Sequence, residues 1–424
     1  MRTALRALTT RGRCLLAAGL ASAVCALVLG ERDLLRVACL LVALPLIAAY
    51  AVAGTRFRLT CVRTLRPTRV PAGQATEVAL TLRNISMLPS GLLLLEDELP
   101  YTLGGRPRFL VDRIGPSDSR TVRYVVRSDV RGRYRIGPLR LRLSDPFGLV
   151  ELARSFSTLD RLTVTPVVHS LPSIRLAGSW DSGGESTSRA VFSRGEDDAA
   201  TREYRHGDDL RKIHWRSTAR IGKLMVRQVE KPWQSHAALL LDTRAAAHRG
   251  DGPGSSFEWA VSAVASVGTQ LSRVGFSLNL LTDQGRVPQG GVDLGEDGVL
   301  LDYLAEVTTS GNRHLDGALS GLRREDHGAL VAVLGVLSVE DAHVLAASRP
   351  AQSVSIALLV DSTTWVNLAP RARQESVGTR DAAAGVLARS GWRVVHVERG
   401  ASLADVWTRA GERPGLQRTP TGIR

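Results

Sequence analysis

The chain has 424 residues, more than one hydrophobic core normally serves, so two or three domains are expected. Its formal net charge is +14, carried almost wholly by arginine, since lysine occurs only at Lys212, Lys223 and Lys231. No arginine cluster is interleaved with aromatics as a stacking platform, which argues against a specific nucleic-acid binder. All four cysteines lie at or before Cys61, leaving no disulfide framework and no thiolate metal site beyond it.

Two apolar stretches open the chain, Cys14 to Gly30 and Leu34 to Gly54, separated by Glu31-Arg32-Asp33. The second is long enough for a hydrocarbon core of about 30 Å, and the first is near the lower limit. Arg2, Arg6, Arg11 and Arg13 precede the pair, while Arg56, Arg58, Arg63 and Arg66 follow it. The positive-inside rule then places both flanks in the cytoplasm. Residues 1–55 are therefore predicted to be two transmembrane helices, making the chain a multi-pass protein of the inner (plasma) membrane with cytoplasmic soluble domains. A cleaved signal peptide ending near Ala21-Ser22-Ala23 is the competing reading; the basic flank after Gly54 favours the hairpin.

Residues 56–168 read as β structure. Glu77 to Leu82, Thr121 to Val126 and Leu139 to Leu143 alternate, and Pro, Gly and Asn punctuate the runs, which predicts a small antiparallel β-sandwich. Residues 169–235 form a connector, with a Gly- and Ser-rich loop from Pro172 to Asp198. Residues 236–424 change period. Apolar strands at Ala237–Leu241, Phe276–Leu281, Ala329–Leu337, Val354–Val360 and Trp392–Val397 alternate with helices. Those helices are placed at Phe257–Val274, Gly298–Val307, Leu315–Arg323, from Val339, at Asp381–Arg389 and at Ala401–Ala410. This is the pattern of a doubly wound α/β domain, and it puts Asp242 at a strand's carboxyl end, where such sheets bind ligands. The chain as a whole is an α+β multidomain protein.

The densest chemistry lies in Glu203 to Arg220. Asp208 after Gly207 suits a helix N-cap, with Leu210 to Ala219 forming roughly three turns. Arg211 and Trp215 would then stack, and Arg220 would reach Asp208 or Asp209. One reading is an ion-paired structural corner. Another makes His206, Asp208 and His214 metal ligands of a hydrolase, although no HExxH-like spacing puts two of them on one helical face. Neither Ser193 nor Ser217 sits in a GxSxG elbow. At Asp242, a metal-ion-dependent adhesion site needs Asp-x-Ser-x-Ser, but Arg244 and Ala246 occupy the Ser positions, so the metal site is read as degenerate. No Walker A loop and no dinucleotide GxGxxG follows a strand, so no cofactor is expected.

The run Arg202 to Trp215, followed by Ser217-Thr218-Ala219-Arg220, closely resembles the RxYxxGDxxRxIxWxxSAR signature of the bacterial domain-of-unknown-function family 58, with Thr218 where Ser is usual. Arg131 to Pro138 and Asp145 to Leu149 resemble its upstream signature. The resemblance implies that the α/β domain is similar to von Willebrand factor type A folds and that no enzymatic activity is established. It also implies partnership with MoxR-type AAA+ ATPases, beside which such proteins are often encoded. The chain is therefore expected to be a membrane-anchored scaffold and not an enzyme. Its interaction residues would be Tyr204, Gly207, Asp208, Arg211, His214, Trp215, Ala219 and Arg220. Metal-dependent hydrolysis and anionic-lipid or nucleic-acid binding by the Arg-rich β domain are the alternatives.

Overall fold

A computed structural model describes residues 8–54, 59–87, 89–90, 92–144, 147–174, 201–203, 213, 215–227, 236–287, 294, 298–322, 328–349 and 353–412. The chain divides into two compact units, residues 1–166 with 304–306, and residues 167–303 with 307–424.

The first unit begins with two helices, α1 (Thr10–Leu29) and α2 (Arg32–Gly54), both long and apolar enough to cross a membrane. α1 starts four residues before the predicted apolar stretch, because Thr9 caps it by accepting from the Gly12 amide at 3.2 Å. Arg11 and Arg13 thus fall inside the first turn. Ten strands follow: β1 (Leu59–Arg66), β2 (Arg69–Pro71), β3 (Ala75–Asn84), β4 (Leu92–Asp97), β5 (Arg108–Val111), β6 (Ser119–Arg127), β7 (Gly132–Ile136), β8 (Leu139–Ser144), β9 (Glu151–Phe156) and β10 (Asp160–Thr165). They make three sheets, ordered β1-β3-β6, β2-β10-β7 and β5-β4-β8-β9. All pairings are antiparallel except β10 with β2, a parallel contact that the alternation pattern does not announce. Leu80 and Leu82 of the first sheet share a core with Leu93, Leu95 and Leu141 of the third, while Val78 and Val126 share one with Ile136, Leu162 and Val164 of the second.

A buried arginine ties these sheets together. Arg63 on β1 grips Asp97 at the end of β4 with Nε to Oδ2 at 3.1 Å and Nη2 to Oδ1 at 2.7 Å. Its Nη1 donates to Asp160 on β10 at 2.8 Å and to the carbonyls of Ile136 and Thr158, both at 3.2 Å. Tyr124 on β6 donates to Asp97 Oδ2 at 2.5 Å. Burial pushes the Arg63 guanidinium down, but its bonds to Asp97 and Asp160 outweigh that and the net shift is upward. Burial beside the same group pushes the Cys61 thiol up to about 11.

The second unit opens with β11 (Thr201–Glu203) and β12 (Met225–Arg227), an antiparallel pair, with α3 (Trp215–Ile221) between them. Ile213 sits in a β-bridge and α3 is described from Trp215, while Leu210 to Lys212 and His214 of the predicted helix lie outside the described residues. The main sheet contains β13 (His236–Leu241), β14 (Ser277–Thr282), β15 (Gly285–Arg286), β16 (Ala329–Leu334), β17 (Val354–Val360) and β18 (Arg393–Val397). Its order is β15-β14-β13-β16-β17-β18, parallel throughout except for the short edge strand β15. The helices are α4 (Ser256–Arg273), α5 (Val299–Glu306), α6 (Asp316–Leu322), α7 (Val339–Ala347), α8 (Pro370–Arg389) and α9 (Leu403–Gly411). α4 carries a capping box in which Ser255 accepts from the Glu258 amide at 3.2 Å. Side chains of α6, α7 and α8 cover one face of the sheet with Leu240, Leu330 and Leu359, and α4 brings Gly268 against Leu239 and Leu278 on the other. β16 and β17 are buried along their whole length, which is why they read as unbroken apolar runs. α8 begins eleven residues before the predicted Asp381, because positions 371–380 are mostly polar and exposed and carry no apolar period.

Candidate functional site

Counted outward from β13, the sheet is built in one direction through β14 and in the other through β16, so the crevice at the carboxyl ends of β13 and β16 is the topological switch point. Asp242 follows β13 directly and is buried there. Four donors converge on its carboxylate. Arg244 donates its amide to Oδ1 at 3.1 Å, Nε to Oδ1 at 2.9 Å and Nη2 to Oδ2 at 2.9 Å, and the Gly335 amide at the end of β16 donates to Oδ2 at 3.2 Å.

The other three guanidinium hydrogens of Arg244 are also used. Nη1 donates to Asp341 on α7 at 2.9 Å and to the Arg313 carbonyl at 3.1 Å, and Nη2 donates to the Val336 carbonyl at 3.1 Å. All five side-chain N–H groups are therefore satisfied. Burial works hardest on this group, pushing its pKa down, but Asp242 and Asp341 outweigh burial and the net shift is upward. A divalent ion approaching Asp242 would have to displace a guanidinium held at five points. Ala246, the other position read as degenerate, is exposed in the following turn, where its carbonyl accepts from Arg249 at 2.8 Å.

Gly335 has no room for a side chain. A Cβ there would lie 2.3 Å from the Ala247 carbonyl oxygen, so the close approach that brings its amide to Asp242 requires glycine. His248 completes the floor. Its Nε2 lies 2.8 Å from the Asp242 carbonyl oxygen, and its Nδ1 is 3.2 Å from Ser256 Oγ. The carbonyl can only accept, so Nε2 carries the hydrogen and Nδ1 accepts from Ser256. Burial holds this imidazole below its ordinary pKa.

Two neighbouring strands end in the same way. Asp283 after β14 is buried and takes hydroxyl and amide donors: Thr243 Oγ1, Ser310 Oγ at 2.5 Å and Asn312 Nδ2 at 2.9 Å. Asp361 after β17 pairs with Arg380 of α8 and accepts from Thr363 Oγ1 at 2.6 Å. Reading the sequence for motifs found Asp242 and Arg244 but missed Asp283, Asp341, Asp361, His248 and Arg380. A signal was present: Leu239-Leu240-Leu241-Asp242, Leu280-Leu281-Thr282-Asp283 and Leu358-Leu359-Val360-Asp361 each end an apolar strand in aspartate. Among the described residues, no three His, Cys, Asp or Glu side chains gather as a metal-holding group.

Of the predicted interaction residues, Trp215, Ala219 and Arg220 lie on α3 and are exposed, Trp215 by 68%. Thr218 on the same helix accepts from the Met225 amide at 3.0 Å and so fastens α3 to β12. Tyr204, His206, Gly207, Asp208, Arg211 and His214 lie outside the described residues.

Residues 200–360 match the family described as Protein of unknown function DUF58. The match is to this stretch of the chain. It takes in α3, the Asp242–Arg244 pair, Asp283 and Asp341. The Uncharacterized protein YeaD of Bacillus subtilis (strain 168) is 26% identical over 216 residues, covering 48% of this chain and 51% of that protein. The chain thus spans about half the length of the curated relative it matches. Solved structures similar to parts of it include the CARDB domain of the PF1109 protein from Pyrococcus furiosus in complex with di-metal ions, with TM-score 0.20 and 15% identity, covering 26% of this chain and 93% of that one. The complex of zinc 2-glycoprotein and prolactin inducible protein from human seminal plasma gives TM-score 0.21 and 10% identity, covering 26% and 97%. Likenesses this slight carry no argument.

Proposed function

We propose that this chain is a multi-pass, inner-membrane adaptor whose cytoplasmic α/β unit, von Willebrand factor type A-like in its doubly wound sheet, docks a protein partner. The resemblance to family 58 names a MoxR-type AAA+ ATPase as that partner. The observation that carries the reading is Arg244 seated on Asp242: the place where a doubly wound sheet usually receives a ligand is filled by the chain's own side chain. With the crevice closed, recognition falls to exposed surface elsewhere on the unit. Trp215 and Arg220, the residue types that dominate binding energy in interfaces, are exposed on α3.

The test is capture of the purified ATPase by the detergent-solubilised full chain. Retention that falls about tenfold or more in a Trp215→Ala, Arg220→Ala variant supports the adaptor reading, the size expected of a hot-spot residue. Capture no better than a mock resin, or equal capture by the variant, overturns it.

A further inference from the structure

α1 is joined rigidly to the β strands of its own unit. The Thr9 amide donates to the Leu149 carbonyl at 2.9 Å, Thr9 Oγ1 donates to the Gly148 carbonyl at 2.7 Å, and Leu8 bridges Val150. Gly12, one turn on, lies so close that a Cβ there would stand 2.3 Å from the Leu149 carbonyl oxygen. Ala48 and Ala49 of α2 join the same core as Leu59, Leu95 and Leu149. A 20-residue helix rises about 30 Å, the thickness of a hydrocarbon core, so if α1 crosses the bilayer its first turn has to lie at the headgroups. Whatever is bonded to that turn lies there as well.

Two loop tips stand at this end of the unit, and both are apolar. Phe147, 63% exposed, is two positions from Leu149 in the β8–β9 turn. Leu59, the first residue of β1 after α2, pairs with Asn84, so Ile85 and Met87 project past that strand's start, Met87 92% exposed. Asn84 holds this tip in shape: its Nδ2 donates to Ile114 and Gly115 carbonyls, both at 3.2 Å, and its Oδ1 accepts from the Ser86 amide at 3.0 Å. The exposed Leu92 pairs with Ser144 and joins the two tips along one edge. Exposed Arg11 and Arg83 stand at the same level, as anionic headgroups would favour.

We propose that this edge, with Ile85, Met87, Leu92 and Phe147 at its tips, is a membrane-insertion surface that seats the β strands on the bilayer's cytoplasmic face. The proposal rests on the spanning reading of α1 and α2. The occupant is the lipid interface itself, because the edge is continuous with the two helices.

The full chain is suited to a tryptophan probe, since its seven native tryptophans all lie at or beyond Trp180. Met87→Trp and Phe147→Trp variants, reconstituted in phosphatidylcholine vesicles with or without brominated acyl chains, are compared with Tyr101→Trp. Tyr101 is 97% exposed beyond the far end of β4, about 20 Å away by strand rise. The added fluorescence at 87 and 147 should be quenched several-fold more than that at 101; equal quenching overturns the inference. Alkaline carbonate extraction of the parent chain separates the two levels. A chain that stays in the membrane pellet yet shows equal quenching sinks the seating alone, and a chain that is released sinks the spanning reading with it.

Discussion

Arg63 in the β-rich unit and Arg244 in the α/β unit are bonded almost identically. Each grips one aspartate with two nitrogens, reaches a second aspartate with Nη1, and caps two backbone carbonyls. What separates them is where their partners sit in the topology. Arg63 collects β1, β4, β7 and β10, strands drawn from all three sheets, so it works as a tie across layers. Arg244 takes its first partner two residues away and the rest from the first turn of α7 and two loop carbonyls at the sheet's carboxyl edge, so it fills the switch point and joins no second sheet. The same chemistry makes a fastening in one place and a plug in the other.

Removing each arginine should expose that difference. Arg63→Met strands the buried Asp97 and separates three sheets, so a loss of about 3–5 kcal/mol is expected, read by denaturant unfolding of the first unit's signal. Arg244→Met should cost about 2–4 kcal/mol, and adding Asp242→Leu should recover most of it, since an uncompensated buried carboxylate carries much of the penalty. Should Arg244→Met prove the more costly of the two, or resist rescue, the distinction between tie and plug is wrong. Gly335→Ala pushes a methyl into the Ala247 carbonyl and should destabilise the α/β unit by about 1–3 kcal/mol; a neutral result would mean that β16 can shift away from Asp242 without penalty.

The smallest effect concerns pH. His248 is held neutral by burial, with its pKa below the ordinary 6.5, so the unfolded chain binds more protons than the folded one as pH drops. Its contribution is complete above pH 6.5 and is lost as pH falls below that value. His248→Gln should flatten the acid side of the stability profile of the α/β unit. An unchanged slope would show that another group titrates there.

The parts of this molecule legible in the sequence are those set by local pattern. β16 and β17 announce themselves because both their faces are buried, and the hairpin of α1 and α2 because its residues are apolar all round. Asp242 with Arg244 was readable because the two are near neighbours. Asp341 was not: it reaches Arg244 from 97 positions away, and only the fold brings them together. The first half of α8 is mostly polar and exposed, so no apolar period marks it, and the parallel contact of β2 with β10 leaves no trace in alternation. In the signature, Ile213 is drawn into a bridge, where local helix propensity yields to pairing.

The bond from Thr9 to Leu149 has a mechanical meaning. It leaves no slack linker between α1 and the third sheet, so the helix and the β8–β9 ribbon tilt as one lever. If α1 spans a bilayer, any change of tilt that a thinner or thicker membrane imposes on it is delivered straight into the sheet.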